Sequence, residues 1–167
     1  MSSVKLMNLD LGTKTGFAVG GANHMVSGTW NLKPGRFDGG GMRFVKFRQR
    51  LDEVYAAYGF THVFFEEVRR HAGTDAAHVY GGLMATLTAW CEEKKLPYQG
   101  VPVGTIKKGF TGNGNASKDL MIAECVRRGF QPADDNEADA IGLHDWALKE
   151  MGLAPPKEPA SAVKAAA

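Results

Sequence analysis

Hydrophobic and polar positions in the first part of the chain form short, closely spaced patterns. Three mostly apolar runs, at 4–11, 15–22 and 24–32, are separated by glycine and asparagine residues typical of turns. Runs this short and this close together predict three strands that pair antiparallel in sequence order. A glycine-rich segment at 33–41 then predicts a loop of a length at which loops are often mobile or functional.

Helical periodicity starts after that loop. Apolar residues recur every three or four positions over 42–58, which predicts an amphipathic helix. Farther along, β-rich runs at 61–68 and 97–103 predict two strands. Further helices are predicted at 75–95, 117–129 and 135–151. The order β-β-β-α-β-α-β-α-α indicates an α/β domain with a mixed five-stranded sheet, three antiparallel leading strands and then parallel strands, flanked by helices.

Length and composition narrow the class of protein. The chain has 167 residues, 44% hydrophobic and 23% charged, which is typical of one globular domain. No apolar run approaches the roughly 20 residues that cross a bilayer, so we expect no membrane association. Cys91 and Cys125 form neither a disulfide framework nor a zinc pattern. We expect a cytoplasmic domain over 1–151 and a disordered, Pro/Ala-rich tail over 152–167.

Charge is segregated along the chain although the net charge is only +2. Segment 43–50 carries four basic residues and segment 94–118 carries five, both without an acid. Segment 119–139 carries six acids against two arginines. This segregation indicates either a positive surface around a small acidic site or simply solvated faces.

Carboxylates occur at three places where apolar surroundings make them costly. Asp10 lies in the run LMNLDLG, Glu66 and Glu67 end the run VFFEE, and Asp139 lies in NEADAIGL. Each acid alone is explained as a cap, a turn former or a solvated residue. Together, at elements whose order predicts convergence, they indicate Mg²⁺ or Mn²⁺ with oxygen ligands. Two such ions about 4 Å apart activate water and stabilise the leaving oxygen of a phosphodiester, so the pattern predicts a metal-dependent phosphoryl hydrolase.

Four motifs over about 4–150 carry a family resemblance: NLDLGTKTGFAV, VFFEEV, VGTIKKGFTGNGNASKDLMI and DDNEADAIGL. In this order and spacing they resemble the RuvC-type Holliday junction resolvases, and more closely the compact RuvC-like nucleases of bacteriophages and prophages. The resemblance implies an RNase H-like fold, a homodimer and two Mg²⁺ or Mn²⁺ ions per active site. It also implies hydrolysis of four-way junctions and other branched DNA, giving 5′-phosphate and 3′-hydroxyl ends, in recombination and repair. Such an enzyme works in the bacterial host cytoplasm and needs no nucleotide cofactor.

The resemblance also assigns residues by position. The metal-binding catalytic acids are Asp10, Glu66 and Asp139. Glu67 competes with Glu66, because the sequence does not fix the pleat register. The family often has an acid or a histidine three residues before the last aspartate, where this chain has Asn136, so the resemblance makes Asn136 a fourth, uncharged metal ligand. Asp135 and Glu137 are possible substitutes, although both are expected to project from other sides of the helix.

Basic residues near the motifs are assigned to DNA. Lys118 is predicted to stabilise charge in the transition state, the alternative being an exposed lysine in the first turn of a helix. Phe110, in the segment 109–118 predicted to be a loop, is either a wedge at the junction or a lid over the core. The predicted DNA-binding residues are Arg69, Arg70, Lys107, Lys108 and Lys118.

Two other functions remain open from the sequence. One is an RNase H-fold nuclease of the shorter YqgF kind, which cuts structured RNA and needs no junction. The other is a module that binds junctions without cutting them, for which Asn136 is the only hint.

Overall fold

The computed structural model describes residues 3–153 and 162–164. Its backbone alternates strands and helices around one mixed sheet. The strands are β1 (Leu6–Asp10), β2 (Lys14–Gly20), β3 (Met25–Asn31), β4 (His62–Glu67), β5 (Tyr98–Pro102) and β6 (Ala162–Lys164). The helices are α1 (Met42–Tyr58), α2 (Thr74–Lys94), α3 (Val103–Thr111), α4 (Lys118–Arg127) and α5 (Asp135–Glu150). Among the described residues, no helix is both long and apolar enough to span a membrane.

The sheet confirms the predicted topology. β1, β2 and β3 pair antiparallel, while β4 runs parallel to β1 and β5 runs parallel to β4. The five strands therefore lie in the order β3-β2-β1-β4-β5, with β1 and β4 adjacent as expected. The three-residue strand β6 pairs parallel with β3 at the outer edge. It falls in the segment predicted to be a disordered tail, and most of the rest of that segment lies outside the described residues.

One helix was missed by the periodicity. Residues 103–111 form α3, where the sequence predicted the end of a strand and the start of a loop. Gly104 and Gly109 are poor helix formers, and they masked the apolar spacing of Ile106 and Phe110, which are both buried. The Phe110 ring packs in the core under the guanidinium of Arg128, 4.2 Å from the ring centroid. The wedge interpretation of Phe110 is therefore wrong, and the residue covers the core.

Helices pack on both faces of the sheet, and the strand period of two decides which side chains meet which helix. From β1, Met7 and Leu9 enter the cluster formed with α1 and α2. Leu6 packs on the opposite face with residues of α5. Because Asn8 and Asp10 follow Leu6 at intervals of two, they also point to the α5 face. The catalytic candidate Asp10 is thereby directed at α5.

A buried histidine links α5 to β1. The Asn8 amide donates to His144 Nδ1 at 2.8 Å, and His144 Nε2 lies 3.3 Å from the carbonyl oxygen of Gly21. These partners fit the neutral tautomer that carries its proton on Nε2. Burial lowers the pKa of His144 to about 4, and the hydrogen bond to Gly21 and the charge of Asp145 offset only part of this shift.

We therefore expect His144 to make the stability of the fold depend on pH. Its pKa is depressed relative to an unfolded value of about 6.5, so its contribution is complete above pH 6.5 and is lost as the pH falls towards 4. Between pH 7 and pH 4, the difference in unfolding free energy between wild type and His144→Gln should shrink by about 3 kcal/mol. Denaturant titrations of both proteins across this range measure the effect. A difference that does not change with pH would contradict it.

Candidate metal centre

Two strands bring the first two carboxylates together. β1 and β4 are parallel neighbours whose last paired residues are Leu9 and Phe65, so Asp10 and Glu66 lie one step beyond that pair. Phe64, two residues before Glu66, packs on the α5 face of the sheet. The same period of two directs Glu66 to that face, where Asp10 also points.

α5 supplies the third carboxylate. Asp139 lies in the second turn of this helix, which packs against β1 and β2. Each of Asp10, Glu66 and Asp139 offers an oxygen, and these oxygens all lie within 4.8 Å of one another. The predicted convergence of the three acids is present in the structure. Their catalytic and metal-binding roles stay a prediction.

The first turn of α5 is fixed to the sheet by close backbone contact. A Cβ atom added at Gly16 of β2 would lie 1.9 Å from the backbone oxygen of Asn136. Gly16 itself pairs with Asp10 across the β1–β2 ladder. Only a residue without a side chain lets the helix approach so closely, and this approach sets the height of Asp139 above Asp10.

Side-chain hydrogen bonds fix the same turn. Asp134 caps the helix, accepting from the backbone N–H of Glu137 at 2.9 Å and from the hydroxyl of Thr29 at 2.7 Å. The buried Glu137 accepts from the Ser27 hydroxyl at 2.9 Å and from the backbone N–H of Ala133 at 2.7 Å. Sequence reasoning missed these positioning residues. The available signal was the capping-box spacing of Asp134 and Glu137.

The cluster is electrostatically strained without a counterion. Burial raises the pKa of Asp10 well above its ordinary value, and the charges of Glu66 and Asp139 raise it further. Burial also raises the pKa of Glu66, and it raises that of Asp139 to about 7, with Glu66 adding to the effect on Asp139. Lys107 opposes the shifts of Glu66 and Asp139 without cancelling them. Three acids held this way favour a state in which cations replace the missing positive charge.

The structure distinguishes between the two neighbouring glutamates. Glu66 is 8% exposed and belongs to the cluster. Glu67 points to the opposite face, its side chain is 35% exposed, and it pairs with Arg69 at 3.7 Å. Glu66 is therefore the glutamate of the cluster.

The residues around the last aspartate differ from expectation. Asp135 precedes Asp139 by four residues and so shares its helix face, and its charge raises the pKa of both Asp139 and Asp10. The expectation that Asp135 projects elsewhere is wrong. Glu137 is engaged by Ser27 and Ala133, so it does not substitute as a ligand. Asn136 contributes its backbone to the contact with Gly16, and ligation by its side chain stays a prediction.

The predicted DNA-binding residues lie in two groups. Lys107 is half-buried, and its charge lowers the pKa of Glu66 and Asp139. Lys118 is 79% exposed at the start of α4, and its Nζ lies 3.0 Å from the Asp135 carboxylate, beside the acids. Arg69, Arg70 and Lys108 are exposed.

The donor set fits Mg²⁺ or Mn²⁺. All three cluster groups are carboxylates, which these hard cations prefer, and Asp135 adds a fourth negative charge nearby. Histidine and cysteine ligands, which zinc prefers, do not take part in this cluster.

Metal affinity should depend on pH through Asp139. Its pKa of about 7 means that a cation must displace a proton from the cluster at neutral pH. We expect the affinity for Mn²⁺ to rise with pH, by up to about tenfold per unit below pH 7 for the Asp139 proton. Calorimetric titration with Mn²⁺ at pH 6, 7 and 8 measures this. Glu67→Gln should show the same dependence, and a pH-independent affinity would contradict the assignment.

Comparison with known proteins shows similarity in structure. No family model matches the sequence, and a search of curated proteins finds no significant match. Thermus thermophilus RuvC in complex with a Holliday junction substrate superposes with a TM-score of 0.72 at 21% identity, covering 92% of this chain and 99% of that one. A second Thermus thermophilus RuvC structure gives a TM-score of 0.65 at 20% identity, with the same coverage. The yeast mitochondrial Holliday junction resolvase gives 0.60 at 12% identity, covering 85% of this chain and 76% of that one.

These likenesses define the fold class. The mixed sheet with helices on both faces is the RNase H-like α/β fold predicted from the motifs. Among the solved structures, the chain is similar to RuvC over nearly its whole described length.

Proposed function

We propose that the protein is a metal-dependent, structure-selective endodeoxyribonuclease that resolves four-way junctions and cuts other branched DNA. The observation that carries this proposal is the buried cluster of Asp10, Glu66 and Asp139, held at the centre of a RuvC-like fold. One neighbour in structure is a complex with a Holliday junction substrate and another is a Holliday junction resolvase, which supports the substrate class. The relation to nucleases of bacteriophages and prophages, and the place in the host cytoplasm, belong to the same proposal.

The acids would hold two Mg²⁺ or Mn²⁺ ions per active site, with Asn136 or Asp135 completing the set. Bound there, such ions would make a bound water more acidic and neutralise charge on the leaving oxygen, and the hydrolysis would leave 5′-phosphate and 3′-hydroxyl ends. Asp10 and Glu66 lie on strands and Asp139 lies on a helix, and these elements keep the three carboxylates fixed. Little reorganisation is therefore needed when a phosphate arrives.

Lysines beside the acids have complementary roles in this proposal. Lys107 offsets the negative charge of Glu66 and Asp139 and lets a phosphate approach them. Lys118 is held near the site by Asp135 and is placed to stabilise negative charge that develops on the phosphate. The exposed Arg69, Arg70 and Lys108 would bind backbone phosphates, which gives affinity without sequence choice.

The proposal includes a homodimeric state for this protein. Resolution of a four-way junction requires one cut in each of two symmetry-related strands, and a two-fold dimer supplies one active site for each.

A panel of end-labelled substrates tests the proposed function. It contains a four-way DNA junction, a Y-fork, a linear duplex and a structured RNA, each with Mg²⁺ or Mn²⁺. Paired symmetric nicks in the four-way junction are expected, with Glu66→Gln inactive and the adjacent Glu67→Gln active. Cleavage of the RNA alone would replace the proposal with the YqgF-like activity. Tight junction binding without cutting in either metal would replace it with a binding module.

A further inference from the structure

The loop between β3 and α1 starts at the same end of the sheet as the metal cluster, because β3 runs in the same direction as β1 and β4. Asp10 pairs with Gly16, and Gly16 pairs with Thr29 near the end of β3. The backbone N–H of Leu32 then donates to the carbonyl of Thr13 at 2.7 Å, which ties the start of the loop to the turn after β1. At about 4.8 Å per strand, Thr29, two residues before the end of β3, lies roughly 10 Å from Asp10.

The tip of this loop is an ordered turn at residues 35–38, which we call the Phe37 turn. The Asp38 backbone N–H donates to the Gly35 carbonyl at 3.0 Å, and the Gly35 N–H donates to the Asp38 carboxylate at 2.7 Å. From α1, Lys46 donates to the Lys33 carbonyl at 3.0 Å and lies 3.8 Å from the Asp38 carboxylate. The turn is therefore closed internally and anchored to a helix.

This turn presents an aromatic ring to water. Phe37 is 94% exposed, far more than any other large hydrophobic residue among those described. Within the chain its ring is near the guanidinium of Arg36, 5.5 Å from the ring centroid. Burying a phenylalanine stabilises a fold by about 1.5–3 kcal/mol, and this residue contributes none of that to the core. The turn is held by hydrogen bonds, yet its aromatic side chain makes no contribution to the core. This combination indicates that Phe37 has a role in binding.

The surrounding charge indicates what the ring binds. Segment 33–50 carries six basic residues and one acid, a net charge of +5. Asp38 interacts with Lys46, and Arg48 and Arg50 pair with Glu93 and Glu53. Among the described residues, the positive charge of the segment that is not in an ion pair therefore lies on Lys33, Arg36 and Arg43. Aromatic rings that stack on bases beside cations that bind phosphates are the usual combination for unpaired nucleic acid. A second copy of this chain fits less well, because the same positive segment would face itself across a two-fold axis.

We propose that Phe37 stacks on an unpaired base at the branch point of the DNA, while Arg36 and Lys33 bind the flanking phosphates. This inference rests on the proposed function and adds a contact outside the metal cluster that selects branched over linear DNA. A linear duplex offers no unpaired base, so it gains only the phosphate contacts.

Binding in an Asp10→Asn background, in which cutting is expected to be abolished, tests this inference. The probes are a four-way junction with 2-aminopurine at the branch point and a linear duplex of the same length. Phe37→Ala should weaken junction binding roughly tenfold, change duplex binding less than about twofold, and abolish 2-aminopurine quenching. Phe37→Tyr should restore quenching and affinity. The matched control is Val126→Ala, which truncates another exposed apolar residue and should change neither readout.

Three results would overturn the inference. One is junction binding and quenching by Phe37→Ala equal to those of the parent. Another is an equal loss of affinity for junction and duplex, which would mean that the ring does not recognise an unpaired base. The third is a change in oligomeric mass on Phe37→Ala in light scattering, which would make the turn an interface between copies. In each case, junction cleavage by the wild type shows that the proposed function itself still stands, and its absence shows that both fail.

Discussion

Asp139→Asn is expected to abolish cleavage and, at the same time, to stabilise the metal-free protein. The variant removes one of three clustered carboxylates, and metal-ion stabilisation of the reacting charges is worth several kcal/mol. We expect the rate on a four-way junction to fall by at least about a thousandfold. Single-turnover cleavage in saturating Mg²⁺ or Mn²⁺ measures this loss.

The stability gain follows from the sign of the pKa shift. The pKa of Asp139 is raised from 3.8 to about 7, so the folded state favours the protonated form and the ionised form costs free energy. That cost is fully present above pH 7 and disappears as the pH falls below 3.8. At pH 8 without metal, Asp139→Asn should be more stable than wild type by about 2–4 kcal/mol, and the two should converge near pH 4.

Glu67→Gln is the matched control for this prediction. Glu67 is a half-exposed neighbour of the cluster that pairs with Arg69 instead. It should retain cleavage within a few-fold and should not stabilise the metal-free protein. If Asp139→Asn cut junctions at the wild-type rate, or if it destabilised the metal-free protein at pH 8, the assignment of Asp139 would be wrong.

Gly16→Ala is expected to be strongly destabilising although it adds one methyl group. The added Cβ would lie 1.9 Å from the Asn136 backbone oxygen, and backbone on both sides cannot yield as a flexible side chain would. We expect a loss of about 3 kcal/mol or more in the free energy of unfolding. Because α5 must move away from β2, Asp139 moves too, and cleavage should fall even at temperatures where the variant is folded.

Gly81→Ala provides the comparison. Gly81 lies inside α2 with no atom within 4 Å of an added Cβ. Alanine there should stabilise the protein by about 0.5–1 kcal/mol through helix propensity, with unchanged cleavage. Thermal unfolding and junction cleavage of both variants measure the difference in stability and activity between them. A Gly16→Ala variant as stable and active as Gly81→Ala would contradict the tight docking of α5.

Much of the site could be predicted from the sequence because local rules govern it. The strand period and the parallel neighbours β1 and β4 determine that Asp10 and one glutamate converge. The choice between Glu66 and Glu67 required the register, since a shift of one residue exchanges the two faces. The spacing of four residues between Asp135 and Asp139 places both on one face of α5, and this relation is contained in the sequence itself.

Tertiary contacts account for what the sequence did not reveal. α3 forms over two glycines because burial of Ile106 and Phe110 outweighs their poor helix propensity. The close approach at Gly16 involves Asn136, which lies 120 positions later in the chain. No local sequence pattern around Gly16 predicts this contact. The Phe37 turn was expected only as a glycine-rich loop, and its anchoring by Lys46 and the exposure of its ring required the structure.

The most direct test of the central claim is the cleavage of a four-way DNA junction by the wild-type protein, followed by analysis of the product ends. The account predicts symmetric nicks in Mg²⁺ or Mn²⁺, no cutting in EDTA, and products that DNA ligase reseals without prior phosphorylation, since they carry 5′-phosphate and 3′-hydroxyl ends. Equal cutting in EDTA, ends that ligase cannot reseal, or an intact junction in both metals would contradict it.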